Sequence, residues 1–339
     1  MQLKPTPIIY IFCPANFATG GPEALHQLGQ CLITLGYTVY MHYFSVGIKG
    51  TVHETYLKYN VPFTDHVINH ENNILVLPET SLDPIFESAY SKTNKIIWWL
   101  SVTNYFIIVK NLKDNAQRKK FYKLKSFLFP NKYKPIATLE VLKTKKIKHI
   151  AHSYFSLDFL KKNEMDIIGK FSDYMNSAFY DGIDSHVEKE DIIIYNPKKN
   201  GAFLDEIIKI NGHLKWVALI DMSPQEVSSW MRRSKLYIDF GYHPGQERMP
   251  REAILMGCCV ITGKQGSAAF DEDVPLPKGY KFDEAIATPM QISEQIAKSL
   301  SHFEEESKLF ENYRIQIIAE KDNFRNDIAK VFHQLIQPN

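Results

Sequence analysis

The sequence predicts an α/β protein made of two successive strand–helix series, each forming a mostly parallel sheet covered by helices. Three observations predict it. Short apolar runs rich in Ile, Val and aromatic residues recur along the chain and end in loops of Gly, Pro and polar residues. Apolar residues at helical spacing fill the intervals between them. The alternation then breaks at the polar run from Asp181 to Glu190 and starts again, which divides the chain into domains at 1–185 and 190–310 with a final helical segment over 311–339. With 339 residues, 45% of them hydrophobic and 13% aromatic, the chain can build two cores of ordinary size.

In the first series, residues 8–12 read as a buried strand and 14–21 as the loop that follows it. Leu25, Leu28, Leu32 and Leu35 form the apolar face of a helix with Pro22 in its first turn, stopped by Gly36 before a strand at 38–44. The Gly20-Gly21 pair either brings bare backbone N–H groups against a phosphate or makes a tight strand-to-helix turn. It lacks the G-x-G-x-x-G spacing, so no dinucleotide cofactor is expected. Strands at 74–77 and 96–100 end in Pro78-Glu79-Thr80 and Ser101-Val102-Thr103-Asn104. Glu79, Ser101 and Asn104 are either caps and turn formers or groups lining the carboxyl edge of the sheet. A strand at 147–153 and a helix at 157–162 close the series, with His152 reading as a turn residue between them.

Residues 110–148 differ from their surroundings. They carry thirteen Lys or Arg against Asp114 and Glu140, a net charge of +11, which leaves 27 basic and 36 acidic residues, net −9, in the rest of the chain. Phe121, Tyr122, Leu124, Phe127, Leu128 and Phe129 are interleaved with the bases, as docking on an anionic membrane surface requires. The plainer alternative is a solvated basic face. No nucleic-acid-binding module accompanies the charge, and nucleic acid is not the expected partner. No run approaches the ~20 apolar residues of a membrane span. Cys13, Cys31, Cys258 and Cys259 show no metal-ligand spacing and read as free thiols. The chain is therefore expected in the cytoplasm, at most peripheral on the inner face of a membrane.

The second series opens with a strand at 192–195 that empties into Asn196-Pro197-Lys198-Lys199-Asn200-Gly201, where Lys198 and Lys199 are point charges suited to a phosphate or are simply solvated. A strand at 216–220 leads to Ser223-Pro224-Gln225-Glu226, a capping box that starts a helix. A strand at 236–240 then delivers the chain to Gly241-Tyr242-His243-Pro244-Gly245-Gln246-Glu247-Arg248, a helix with Pro250 at its first position and Glu252 in its first turn, the stop at Gly257, and a strand around Val260-Ile261. Loops at the carboxyl ends of parallel strands, facing a helix N-terminus, are where open α/β sheets bind anionic ligands. Of Arg248 and Arg251, one suits a phosphate and the other a pairing with Glu247 or Glu252.

The stretch Glu252-Ala253, Gly257, Val260-Ile261 resembles the nucleotide-sugar-binding segment of GT-B-fold glycosyltransferases, mainly the retaining ones of the bacterial surface-polysaccharide class. That resemblance implies two Rossmann-like α/β domains facing each other across a cleft, the first on the acceptor side and the second binding the donor, with a C-terminal helix crossing back. It implies transfer of a sugar from a nucleotide-sugar donor to a glycan or lipid-linked acceptor, without a cofactor. Glu252 is expected on the ribose hydroxyls, with Gly20, Gly21, Lys198, Lys199, His243, Gly245 and Gln246 as further donor-binding residues. The family's earlier Glu, eight positions upstream of the second and followed by Gly, is here Pro244 before Gly245, so Glu247 is the candidate replacement and is paired with Arg248 as the catalytic set. No Asp-x-Asp pair is evident, so metal independence is expected. Two alternatives share the fold or the site: a hydrolysing sugar-nucleotide 2-epimerase, and a non-catalytic nucleotide- or glycan-binding protein.

Overall fold

The computed structural model describes residues 6–44, 52–117, 125, 128, 135–180, 187–199 and 201–336. The chain forms two compact units, Met1–Asp173 with Asn323–Asn339, and Tyr174–Asp322.

The first unit is built on a six-stranded sheet in the order β2-β1-β3-β4-β5-β6, with every neighbouring pair parallel. Its strands are β1 (Ile8–Pro14), β2 (Thr38–Phe44), β3 (Ile74–Pro78), β4 (Asn94–Trp99), β5 (Lys148–Ala151) and β6 (Ile167–Lys170). β3 is buried along its whole length, as a central parallel strand covered on both faces must be, and its sequence is a continuous apolar run. Helix α1 (Gly20–Thr34) joins β1 to β2 and buries Leu25, Leu28 and Leu32, the spacing read from the sequence. Helices α2 (Val102–Gln117), α3 (Leu139–Lys143) and α4 (Tyr154–Lys162) follow β4 and β5. The sequence did not announce β6: it is four residues long, half-buried, and contains a glycine. The strand expected at 147–153 ends at Ala151, because Ser153 is spent as the N-cap of α4 in a capping box with Ser156.

The second unit carries a four-stranded parallel sheet in the order β10-β9-β7-β8, from β7 (Glu190–Tyr195), β8 (Lys215–Ala218), β9 (Ser234–Asp239) and β10 (Cys259–Thr262). The connecting helices are α5 (Ala202–Ile210), α6 (Pro224–Arg233) and α7 (Arg248–Leu255), followed by α8 (Pro289–Ser301), α9 (Phe303–Glu306) and α10 (Glu311–Ile318). The capping box at Ser223 forms as expected: Ser223 Oγ accepts from Glu226 N, and Glu226 Oε2 accepts from Ser223 N at 2.7 Å. The helical pattern over 310–335 is two helices, since α10 ends before Ala319 and α11 (Glu320–Ile336) restarts the ladder. From Asn323 onward α11 belongs to the first unit, where Phe324 packs on Trp98 and Phe171.

In both sheets the order reverses once. In the second, β7 is followed on one side by β8, and the chain then crosses back to put β9 on the other side. The loops after β7 and β9 therefore diverge at a topological switch point, where an open α/β sheet has its natural crevice. In the first sheet the same reversal separates β1 from β3.

Candidate functional site

The two loops at the switch point of the second sheet supply most of the site. After β7, Asn196 Oδ1 accepts from Lys198 N at 3.0 Å and Asn196 O from Lys199 N, an Asx-type turn that sends the adjacent lysines different ways. Lys198 runs outward, 3.4 Å from Asp221, with both side chains largely exposed. Lys199 turns inward and pairs its Nζ with Glu247 Oε2 of the β9 loop, both side chains being mostly buried. Gly241 permits this approach: a Cβ there would lie 2.6 Å from Lys199 Cβ and 2.9 Å from Lys199 O.

β9 ends at Asp239, which is buried. Its Oδ1 accepts from Gly241 N at 2.8 Å and its Oδ2 from Tyr237 Oη at 2.9 Å. Burial works against its charge, but the His243 ring, the Lys199 ammonium and the Gly241 amide outweigh that and hold its pKa down at about 2. His243 is fully buried, with Nε2 3.4 Å from Asp239 Oδ2. Its backbone is stitched to the loop after β10: Ser267 N donates to His243 O at 2.9 Å, and Ser267 Oγ to Gly245 O at 2.6 Å. Gly266 makes the stitch possible, since it has φ +63 and any Cβ would sit 2.0 Å from His243 O.

Helix α7 begins at Arg248, with Glu247 as its N-cap and no side-chain capping bond. This corrects the sequence reading: Pro250 is the third helical residue, and Glu252 the fifth, two positions deeper than expected and buried. Proline is tolerated there because its missing N–H is one of the unpaired first-turn donors. Arg251 is the structural arginine, with Glu320 as an ion-pair partner 2.9 Å from NH1. Its Nε and NH2 donate to the carbonyls of Glu247 and Gln246, so one buried guanidinium shapes the loop that enters the helix. Arg248 is half-buried at the first helical position.

The site stands out by buried polar atoms that lack a well-aligned hydrogen bond. Seven buried side-chain nitrogens and oxygens lack a hydrogen bond among the described residues, and five of them belong to Lys199, His243, Gln246 and Thr262. Buried polar groups are nearly always satisfied, so a concentration of exceptions marks a place where a ligand can complete the bonding. Thr262 pairs in register with Asp239, directly beside it in the sheet. The structure thus gathers Lys199, His243, Gly245, Gln246, Glu247, Arg248 and Glu252 around the β7 and β9 loops and α7, and leaves Lys198 pointing away. Asp239 and Thr262 had not been singled out from the sequence. The spacing of Asp239 and His243, four residues apart across a strand end, was the available signal for the first.

Gly20 and Gly21 lie on the other unit, as the first two residues of α1, whose N-cap Thr19 makes no side-chain capping bond. Near them Glu79 is buried, and its Oε2 accepts from Leu100 N at 2.9 Å. Ser101 Oγ accepts from Asn104 N, a helix cap, and Asn104 is exposed. His152 is buried with Nε2 3.5 Å from Asp173 Oδ1. Of the basic segment, α2 exposes Phe106 and Ile107 beside Lys110 and Lys113, and Leu128 is exposed. Lys119, Lys120, Lys123, Phe121, Tyr122, Leu124, Phe127 and Phe129 lie outside the described residues. Among the described residues, no group of His, Cys, Asp and Glu is placed to hold a metal ion, and no helix is long and apolar enough to cross a membrane.

No protein-family model matches the chain, and no curated protein is similar to it in sequence. Solved structures are. A glycosyltransferase from Rickettsia africae superposes with a TM-score of 0.63 at 14% identity over 99% of this chain and 100% of its own. HepE from Anabaena, in complex with UDP-glucose, gives 0.59 at 10% identity over 96% and 99%. The BGT of phage T4 with its UDP-glucose substrate gives 0.52 at 12% identity over 96% and 99%. The two parallel sheets and this likeness over the whole chain give the protein the GT-B fold.

Proposed function

We propose that this chain is a glycosyltransferase that moves a sugar from a nucleoside-diphosphate donor to a glycan or lipid-linked acceptor in surface-polysaccharide synthesis, with retention of configuration and without a metal ion. The observation that carries the reading is the set of buried polar atoms without a hydrogen bond among the described residues, His243 Nδ1, Gln246 Oε1 and Thr262 Oγ1, beside Lys199 and the uncapped N-terminus of α7, at the switch point of the second sheet. Such a crevice offers an anion both backbone amides and an ammonium group, and a polyol several fixed hydrogen-bonding atoms. The solved neighbours with the same fold that hold UDP-glucose support the choice of donor.

In this reading Lys199 and the first-turn amides of α7 receive the diphosphate, and Glu252 accepts from the ribose hydroxyls. Arg248 and Lys199 stabilise charge on the departing nucleotide as the sugar–phosphate bond breaks, which is where preorganised cations act most strongly. Glu247 and the unpaired atoms of His243 and Gln246 are the groups offered to the sugar. Gly20 and Gly21 are further donor-binding candidates, and Glu79 is a candidate on the acceptor side.

UDP is expected to raise the melting temperature, in the presence of EDTA as well as without it. Glu252→Ala should remove most of that shift while leaving the unliganded protein folded, since a lost charge-assisted bond costs about 1.5–3 kcal/mol. A folded Glu252→Ala variant with an undiminished response takes Glu252 out of the site, and loss of the response in EDTA that magnesium restores takes away metal independence.

The exposed Phe106 and Ile107, flanked by Lys110 and Lys113, extend the basic segment into a face suited to an anionic membrane, where a lipid-linked acceptor would be met. Each lysine near such a surface contributes about 1 kcal/mol. Cosedimentation with phosphatidylserine vesicles should be strong at low salt and weak at high salt, and should drop when Lys110 and Lys113 become Gln. Equal behaviour on neutral and anionic vesicles returns the segment to a solvated face.

A further inference from the structure

We infer that Glu247 is an internal stand-in for the donor's diphosphate: in the unliganded chain its carboxylate occupies Lys199, and an arriving nucleoside diphosphate takes the cation over and frees Glu247. The inference rests on the donor-site reading above and assigns Glu247 a role in selecting the ligand.

The pair joins the two loops that diverge at the switch point, Lys199 from the β7 loop and Glu247 from the N-cap of α7. A lysine buried for structural reasons is satisfied by carbonyls. Lys189, at the opposite edge of the same sheet, shows how that looks: its Nζ donates to the carbonyls of Met231, Ser234 and Met256 at 2.8–3.0 Å. Lys199 Nζ is buried and, among the described residues, is held by the Glu247 ion pair rather than by aligned hydrogen bonds. Its other close anion, Asp239, has its oxygens taken by the Tyr237 hydroxyl and the Gly241 amide. Beyond the contact with Glu247, the ammonium group therefore has donors left for an incoming oxyanion.

Exchange is chemically direct. A carboxylate offers one negative charge, whereas a nucleoside diphosphate offers at least two and more acceptor oxygens, so it outcompetes Glu247 where a monoanion would not. The lysine stem cannot follow Glu247 away, because its Cβ is packed against Gly241. Only the end of the side chain needs to turn. Glu247, released, remains at the N-cap of α7, where the helix dipole favours an anion and where its oxygens become available to sugar hydroxyls. The pair thus links arrival of the diphosphate to release of the carboxylate.

The test is calorimetric titration of the full chain with UDP and, in parallel, with uridine. Glu247→Gln should tighten UDP binding by roughly two- to tenfold, the range expected for removing a partly screened competing ion pair, and leave uridine unchanged. Lys199→Met should weaken UDP binding tenfold or more, and adding Glu247→Gln to it should then change little. Glu247→Asp, which keeps the charge but shortens the reach, should give a smaller gain and guards against a Gln variant that folds poorly. A purely structural pair would move the other way, with melting temperature and UDP affinity falling together in Glu247→Gln. Unchanged or weaker UDP binding in a folded Glu247→Gln variant overturns the exchange. A wild-type chain that binds neither UDP nor another nucleoside diphosphate overturns the donor-site reading, and the exchange falls with it.

Discussion

Replacing Arg251 by methionine is expected to cost about 3–5 kcal/mol of stability, the penalty for stripping one partner from a buried ion pair. Arg251 is fully buried, and its guanidinium spends NH1 on Glu320, Nε on Glu247 O and NH2 on Gln246 O. Methionine fills much of the volume but takes these donors away from a mostly buried carboxylate and two carbonyls. Urea unfolding measures the loss. Glu320→Gln should cost less, because an amide oxygen still accepts from NH1, and Arg251→Met with Glu320→Leu should recover part of the stability by removing the orphaned charge. A loss below about 1 kcal/mol for Arg251→Met would mean that the pair contributes no more than an exposed one. The same variant should blunt the response to UDP, since the two carbonyls it releases belong to the loop that leads into α7.

That arginine also shows where reading the sequence stops. What could be read was local: the capping box at Ser223, the Gly257 stop, and the alternation that predicted two parallel sheets all depend on residues within a turn or a strand of one another. The strand–loop–helix–strand grammar of 239–263 likewise pointed to a helix N-terminus at the carboxyl edge of a sheet. Arg251 could be recognised as one of two candidate cations, but its partner lies 69 residues away and no local pattern marks Glu320. The separation of Lys198 from Lys199 has the same origin. It is decided by an Asx turn at Asn196 and by the bare Gly241 of another loop, so two adjacent, identical residues acquire different surroundings. The register of α7 was misjudged because proline is acceptable anywhere in the first turn, and the structure uses the third position rather than the first. β6 escaped because an edge strand of four half-buried residues carries too little apolar pattern to be seen.

Glu79→Gln is expected to make the protein more stable at pH 8 and to change little near pH 4.5. Glu79 follows β3 and is buried, with Oε2 accepting from Leu100 N at 2.9 Å. Burial pushes its pKa up from 4.5 to about 8, against the pull of the backbone amides of Glu79, Leu100 and Ser101. Between these two values the folded chain holds a proton that the unfolded chain has released. Stability must then fall as pH rises through this window, by up to about 1.4 kcal/mol per pH unit, and level off above pH 8. Below about pH 4.5 both states are protonated and the penalty vanishes. Glutamine keeps an acceptor for Leu100 N and cannot ionise, so it removes the slope and should gain on the order of 2–4 kcal/mol at pH 8. Urea midpoints of both proteins at pH 5, 6, 7 and 8 isolate this one group from every other titration, because all the rest are common to the pair. Curves that run parallel would show that Glu79 is ionised throughout. Diverging curves would mean that the carboxyl edge of the first sheet, beside Gly20 and Gly21, carries a neutral acid at physiological pH. Such a group can donate a hydrogen bond to an acceptor's oxygen as well as accept one, which a carboxylate there could not do.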